Sequence, residues 1–286
     1  MNWQTSIHTA LFGCNTYSYM RSHSAAACLE RLAEHGFREF ELMVHPGHLW
    51  PGELSEEPRR RLRQLIEARG LRLVSLNMPN IDINVVAAAP EMRTYSLDLL
   101  TETVRLAGQL GARGVVIGPG KANPLFPAKA EELIGHFFAA LDRLCPIAEA
   151  AGTALWVENM PFAFLPAISE LMAALGTYGN DAVRIVYDAA NAHFIGEDIA
   201  GGLMRCRERL ALVHLSDTGQ RVYRHDPVGQ GTVPFAAVPP SLAAAGYSAR
   251  PMLEIVSRDP DREIVSSAAK LAAMGFAVPD RFKKTN

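Results

Sequence analysis

The sequence predicts a single-domain (β/α)8 barrel of the α/β class, and three observations support this prediction. Short apolar runs alternate eight times with amphipathic segments along the chain. Most of the amphipathic segments end at a glycine, the residue that best accepts the left-handed conformation at the end of a helix. The eight units fill about 270 of the 286 residues, which suits a closed barrel of about 250 residues.

Each unit of the first half pairs an apolar run, predicted as a strand, with an amphipathic segment, predicted as a helix. The first helix starts after the N-cap Ser24 and ends at Gly36, and the run after it alternates as a strand does. The second helix places Leu62, Leu65 and Ile66 on one face. The pairs are 11–17 with 24–36, 37–44 with 59–70, 71–78 with 91–111, and 114–118 with 128–152.

The second half repeats this pattern, and four of its apolar runs contain one acidic or histidine residue near their end. The pairs are 153–159 with 169–179, 183–189 with 198–209, 210–216 with 239–246, and 251–257 with about 261–275. Strands that alternate with helices form a parallel sheet with right-handed crossovers, and eight such units favour closure into a barrel.

A doubly wound open sheet is the competing architecture. It normally carries a glycine-rich phosphate-binding turn after its first strand, which residues 13–18 (GCNTYS) lack. The segment from Gly118 to Lys121 (GPGK) lacks the spacing of a P-loop and is read as a turn after the fourth strand. No linker or low-complexity tract divides the chain, so we predict one domain over residues 1–286, with the barrel at about 9–276 and a short C-terminal tail.

Composition and charge exclude several classes of protein. With 49% hydrophobic residues and a net charge of −2, the chain is neither disordered nor suited to nucleic acid or to an acidic membrane. The four cysteines form no C-x-x-C pair and are expected to be reduced thiols. Residues 1–14 do not have the pattern of a secretory signal, and no apolar stretch is long enough to span a membrane. We therefore expect a cytoplasmic protein.

The chemistry is predicted where the last four strands end. Catalytic residues of a barrel enzyme lie at the C-terminal ends of its strands, and Glu158, Asp188, His214 and Glu254 follow strands five to eight in that order. Three carboxylates at one point would repel one another and take up protons unless a cation joins them. Three oxygen ligands and one imidazole therefore predict one divalent metal ion, and Mn, Zn, Co and Mg all remain open.

At these residues the chain resembles the xylose-isomerase-like TIM-barrel superfamily, the sugar phosphate isomerase/epimerase family, over about residues 13–275. The motifs that carry the resemblance are VEN at Glu158, YDAANAH from Tyr187, VHLSD from Val213, HDPVGQG from His225, and LEI at Glu254. The resemblance implies that Glu158, Asp188, His214 and Glu254 bind one divalent metal.

The resemblance also implies a reaction. Glu158 and Glu254 would be the catalytic residues, one removing and the other returning a proton on opposite faces of a metal-bound enediolate. This predicts a metal-dependent epimerase or isomerase of a small ketose or related polyhydroxy carbonyl compound. The four ligands do not separate epimerisation, isomerisation and dehydration, so a dehydratase of the inosose or dehydroshikimate type is the alternative. A barrel that binds carbohydrate without turning it over is a further alternative.

Two departures argue against the abasic-site endonuclease branch of this superfamily. That branch binds three metals and has a histidine where this chain has Asn191, and an aspartate where it has Tyr223. Two ligands of a trinuclear cluster are therefore missing, and the net charge of −2 does not suit DNA. Because many epimerases also carry that histidine as a substrate contact, the pose of the substrate is left open.

Candidate substrate contacts lie in the loops at the same end of the strands: His45, Asn77, Asn191, His193, Arg224 and His225. His45 and the nearby His48 either reach the pocket or lie in a solvated loop anchored by Trp50, and an asparagine at a strand end is also a common turn former. The loop 217–231, which holds Arg224 and His225, could bind hydroxyl groups or phosphate. Phe162 and Phe164 are predicted to form a pocket wall or to cover the barrel. The expected partner is a small carbohydrate-like molecule, and a homo-oligomer is compatible with the sequence.

Overall fold

Eight parallel strands form a closed barrel in the computed structural model of the protein, which describes residues 7–78 and 82–277. Each strand pairs with its neighbour in sequence, and β8 pairs with β1. The strands are β1 Gly13–Asn15, β2 Glu39–Met43, β3 Arg72–Asn77, β4 Gly114–Ile117, β5 Leu155–Glu158, β6 Arg184–Asp188, β7 Leu210–Leu215 and β8 Met252–Leu253. The predicted (β/α)8 barrel is confirmed. The predicted C-terminal tail and the start of the N-terminal segment lie outside the described residues.

Nine α-helices have both ends within the described ranges, and eight of them match the predicted segments to within a few residues. They are α1 Ala25–Glu34, α2 Glu56–Ala68, α3 Pro90–Leu110, α4 Ala130–Ala150, α5 Ile168–Tyr178, α6 Ala189–Phe194, α7 Ile199–Cys206, α8 Val238–Ala244 and α9 Pro260–Ala273. Short 3-10 helices occupy Tyr17–Tyr19, Pro51–Glu53 and Phe235–Ala237. None of the helices in the described ranges is both long and apolar enough to span a membrane.

The short helix α6 was not predicted, because it follows β6 without any intervening loop. Asp188 ends β6 and caps α6 in the same step: its side chain accepts a hydrogen bond from the backbone N–H of Asn191 at 2.7 Å. An aspartate at an N-cap satisfies an amide that the first turn leaves free. The cap therefore uses one oxygen of Asp188 and fixes the direction of the other.

The lower half of the barrel interior is an apolar layer to which six strands contribute. Its members are Val74, Val116, Trp156, Val186, Leu212 and Met252. Gly114 has to be a glycine here, because a Cβ atom at this position would lie 2.2 Å from the Trp156 ring. This layer fills the barrel towards its N-terminal end, and the cavity beside the functional residues lies at the C-terminal end of the strands.

Candidate metal centre

The structure brings together the four residues that the sequence singled out at the ends of strands five to eight. One donor atom from each of Glu158, Asp188, His214 and Glu254 lies within 4.8 Å of the other three. Glu158 and Asp188 are the last residues of β5 and β6, His214 lies opposite Asp188 across the β6–β7 pair, and Glu254 follows β8. All four side chains are buried, with at most 4% of each residue exposed.

The donor atoms face one another in a way that suits a cation. His214 Nδ1 lies 3.1 Å from Glu158 Oε1, 3.3 Å from Glu254 Oε2 and 3.9 Å from Asp188 Oδ2. Asp188 Oδ2 is buried and has no hydrogen-bond partner within the described residues. A buried carboxylate oxygen without a partner is costly, and a cation would remove that cost. The residues therefore fit a divalent ion, although three carboxylates and one imidazole do not select one metal.

The electrostatics of the cluster without a cation favour bound protons. Burial and the nearby charge of Glu254 raise the pKa of Glu158 to about 8. Burial likewise raises the pKa of Asp188 to about 6, although the nearby His225 opposes this shift. A metal ion that enters the cluster must displace these protons.

Two histidines balance the negative charge. Burial lowers the pKa of His214, but the carboxylates of Glu41, Glu254 and Glu158 outweigh burial and raise it well above its usual value. His225 follows the same rule: burial lowers its pKa, and Glu254 and Asp188 raise it to about 9. In return, both imidazoles hold the pKa of Glu254 well below its usual range in spite of burial.

Three of the six candidate substrate contacts line the cavity above this cluster, namely Asn77, Asn191 and His225. The other three lie outside its lining. His45 is half-buried with Nδ1 2.7 Å from the carbonyl oxygen of Pro46, and His193 contacts Thr232 Oγ1 through Nε2 at 2.8 Å. The guanidinium of Arg224 is largely exposed beside Asp226.

Tyr223 connects two of the lining residues to the metal cluster. Its hydroxyl donates to Asn191 Oδ1 at 2.7 Å and lies 2.7 Å from His225 Nε2. His225 in turn places Nδ1 3.3 Å from Glu254 Oε2. Tyr223 and Asn191 thus occupy the two positions at which the endonuclease branch was expected to have metal ligands, and they bind each other through a hydrogen bond.

The cavity has a volume of about 230 Å³, a polar floor and largely apolar walls. The wall residues are Met43, Met78, Ile83, Val85, Met160, Phe162 and Val256. Lys121 is the one lysine or arginine among the described lining residues, and burial lowers its pKa. Phe162 lines the cavity with its ring against Tyr223, whereas Phe164 packs against Phe137 and is absent from the described lining.

Asn15 on β1 and Glu41 on β2 lie beside the cluster, and they were not singled out from the sequence. Asn15 Nδ2 donates to Glu41 Oε1 at 2.6 Å and to Glu254 Oε1 at 3.1 Å. A signal was available in the run 37–44, where Glu39 and Glu41 alternate with apolar residues. Because both faces of a barrel strand are buried, such polar positions point into the barrel rather than to solvent.

Fold and site together define a (β/α)8 barrel with a buried carboxylate–imidazole cluster at the C-terminal ends of its strands. The chain belongs to the xylose isomerase-like TIM-barrel family, whose model matches residues 29–274. A buried Glu, Asp, His and Glu cluster of this kind is typical of the divalent metal site in that family.

Known proteins similar to this chain include sugar epimerases. The L-ribulose-5-phosphate 3-epimerase UlaE of Shigella boydii is 23% identical over 230 residues, which cover 78% of this chain and 80% of that protein. The crystal structure of a D-tagatose 3-epimerase-like protein has a TM-score of 0.79 at 22% identity and covers 92% of this chain and 96% of its own. The crystal structure of the IOLI protein with a zinc atom has a TM-score of 0.76 at 18% identity. The match covers 91% of this chain and 96% of that protein. At these identities, the solved structures show the fold.

Proposed function

We propose that the protein is a divalent-metal-dependent epimerase of a small ketose. The observation that carries this proposal is the difference between the two glutamates and the other members of the cluster. Glu158 and Glu254 line the cavity, whereas Asp188 and His214 are absent from its described lining. Two carboxylates that reach the substrate space from different strands can exchange a proton with a substrate carbon from two sides, which is the requirement for inversion.

Glu158, Asp188, His214 and Glu254 would hold the metal, which would supply Lewis-acid activation of the C–H bond beside the ketose carbonyl. One glutamate removes the proton from that carbon, and the other returns a proton on the opposite face of the enediolate. Asn15 and Asn77 donate to Glu254 Oε1 at 3.1 and 3.2 Å, so Glu254 Oε2 is the oxygen that faces the cluster. The tyrosine–histidine pair beside it, Tyr223 and His225, keeps the Glu254 side chain in place.

The similar proteins support carbon 3 of a ketose as the centre that is inverted, because the names of two of them specify 3-epimerisation. We further propose a substrate without phosphate. Phosphate recognition normally uses arginine or several converging donors, whereas the described lining contains one lysine and a large apolar wall. Hydroxyl groups near the floor would bind to Asn77, Asn191 and His225.

Deuterium exchange tests this function directly. The protein is loaded with Mn²⁺ or Co²⁺ and incubated in D₂O with D-tagatose, L-ribulose and L-ribulose 5-phosphate, and the products are followed by NMR. One deuterium at carbon 3, together with the 3-epimer of an unphosphorylated ketose, is the expected result. An aldose product would indicate isomerisation, and loss of water would indicate a dehydratase. A panel of ketoses that shows no exchange would contradict the proposal.

A further inference from the structure

Glu41 is a buried carboxylate in the centre of the barrel that is not one of the four clustered donors. It lies on β2 with no exposed surface. Ser75 Oγ donates to its Oε2 at 2.6 Å, and Asn15 Nδ2 and Asn77 Nδ2 donate to its Oε1 at 2.6 and 3.1 Å. Three neutral donors from β1 and β3 therefore surround this side chain. A carboxylate accepts hydrogen bonds, so each of these three donors finds its acceptor on the Glu41 side chain.

The fourth neighbour of Glu41 is the ring nitrogen of His214 that points away from the cluster. His214 Nε2 lies 3.0 Å from Glu41 Oε1, whereas Nδ1 faces Glu158, Asp188 and Glu254. The contact is an ion-pair approach, and Nε2 has no aligned hydrogen bond within the described chain. The other carboxylates close to the His214 ring contact Nδ1. Among the described residues, Glu41 is therefore the carboxylate available to Nε2.

The two ring nitrogens of a histidine have different roles when one of them binds a metal. The nitrogen that binds must present its lone pair, and the other carries the proton. A carboxylate behind the ring holds that proton, fixes the ring orientation and makes the coordinating nitrogen more basic. With Glu41 at Nε2, the proton of His214 belongs on Nε2, and the Nδ1 lone pair is directed at the cluster.

The same amides connect Glu41 to a second member of the cluster. Asn15 Nδ2 and Asn77 Nδ2 each donate to Glu41 Oε1 and also to Glu254 Oε1. Movement of the Glu41 carboxylate would therefore disturb both His214 and Glu254. The opposite oxygen, Glu41 Oε2, is held by Ser75, which keeps the carboxylate at a fixed depth in the barrel.

Glu39 provides an internal comparison, because it is a buried glutamate two residues earlier on the same strand. Its carboxylate is paired with two arginines, Arg72 at 3.1 Å and Arg250 at 2.5 Å. The cationic group found against Glu41 is instead the His214 imidazole. A buried charge is costly without compensation. Two arginines compensate the carboxylate of Glu39, whereas the carboxylate of Glu41 faces His214, a member of the four-residue cluster.

We propose that Glu41 is a positioning residue for the metal centre: it sets the tautomer and orientation of His214 and, through Asn15 and Asn77, the position of Glu254. This inference rests on the metal site of the proposed function. Glu41 is neither one of the four clustered donors nor part of the described cavity lining, so its effect should appear first in metal affinity.

The test compares Glu41→Gln with Glu39→Gln, two changes that each remove one buried charge from β2. Binding of Mn²⁺ and Co²⁺ to the full-length protein is measured by calorimetry, and the visible spectrum of the Co²⁺ form reports the ligand geometry. We expect Glu41→Gln to weaken metal binding about 10- to 100-fold and to alter the Co²⁺ spectrum. Glu39→Gln should lower the melting temperature and leave both metal affinity and spectrum unchanged.

Three results would overturn the inference: an affinity of Glu41→Gln within about twofold of the wild type, equal weakening by both variants, or an unaltered Co²⁺ spectrum. If Glu41→Gln does not fold, Ser75→Ala replaces it. This change removes the bond to Glu41 Oε2 without touching the cluster, and an unchanged metal affinity there would also contradict the inference. A wild-type protein that binds neither metal would instead contradict the metal site of the proposed function, so the two failures are distinguishable.

Discussion

The same strands build the lower half of the barrel interior, which is apolar, and the upper half, which holds buried ionisable side chains. On β5, Trp156 belongs to the apolar layer and Glu158, two residues later, to the cluster of four candidate metal ligands. The pairs Val186 and Asp188, Leu212 and His214, and Met252 and Glu254 repeat this spacing on the next three strands. Since residues two apart on a strand point to the same face, each of strands five to eight, together with the residue after β8, contributes one apolar and one ligand-type side chain to the interior.

The difference between the halves shows how a barrel can hold three buried carboxylates. The lower layer provides stability through close packing, and it needs no polar partner. The upper layer has charges that each cost free energy unless they are compensated. Four experiments test whether the two halves have these separate roles.

Glu158→Gln should have the largest effect, on the rate of reaction. The amide keeps an oxygen for metal binding but cannot accept a proton, so we expect exchange at the substrate carbon to fall by about 10³-fold while part of the metal affinity remains. NMR exchange rates and calorimetry measure the two quantities. Glu149→Gln, an exposed carboxylate on α4, is the matched control. Full activity of the Glu158 variant would mean that the proton-transfer residue is misassigned.

Trp156→Ala should mainly affect stability, because it empties the centre of the lower layer. We expect the free energy of unfolding to fall by about 3–5 kcal/mol, measured by denaturant titration. Leu125→Ala changes a side chain that is 92% exposed and should leave stability unchanged. If the folded Trp156 variant also binds metal much more weakly than the wild type, the two halves are not independent.

His214→Ala should mainly affect metal binding. His214 is the one imidazole among the four proposed ligands in the described residues. Its loss should weaken binding of Mn²⁺ or Co²⁺ by about 100-fold or more, in line with the large contribution of direct ligands. His136→Ala, on the outer helix α4, is the control, because it removes an imidazole that lies outside the cluster. Unchanged metal content after dialysis of the His214 variant would refute the ligand set.

A change of one pH unit should have the mildest of these effects on metal binding. The pKa of Glu158 is raised to about 8, so below that pH a proton occupies the cluster and competes with the cation. Competition from the Glu158 proton alone should therefore lower the affinity by about tenfold for each pH unit between pH 8 and pH 6, with proton release on binding. Calorimetry in buffers of different ionisation enthalpy measures the number of protons. An affinity that stays constant over this range would show that the cluster is already deprotonated.

Most of the fold could be predicted because its signals are local. The eight apolar runs and the helices between them are visible in windows of about ten residues, and their boundaries differ from the structure by a few residues. Helix α6 was missed because Asp188 has two roles, strand end and N-cap, and no turn residue marks the transition. β8 was predicted over 251–257, but its ladder covers only Met252–Leu253.

The barrel and the four residues at its strand ends follow from the sequence pattern, because strand periodicity and the parallel arrangement place those side chains at one end of the sheet. The residues that surround them are brought there by the closed barrel. Asn15 and Glu254 are 239 positions apart in sequence and meet because β8 pairs with β1. The contacts among Glu41, Asn77 and His214 likewise depend on the diameter and register of the closed barrel. A local pattern carries no information on these distances, so the support of the metal cluster was visible only after closure.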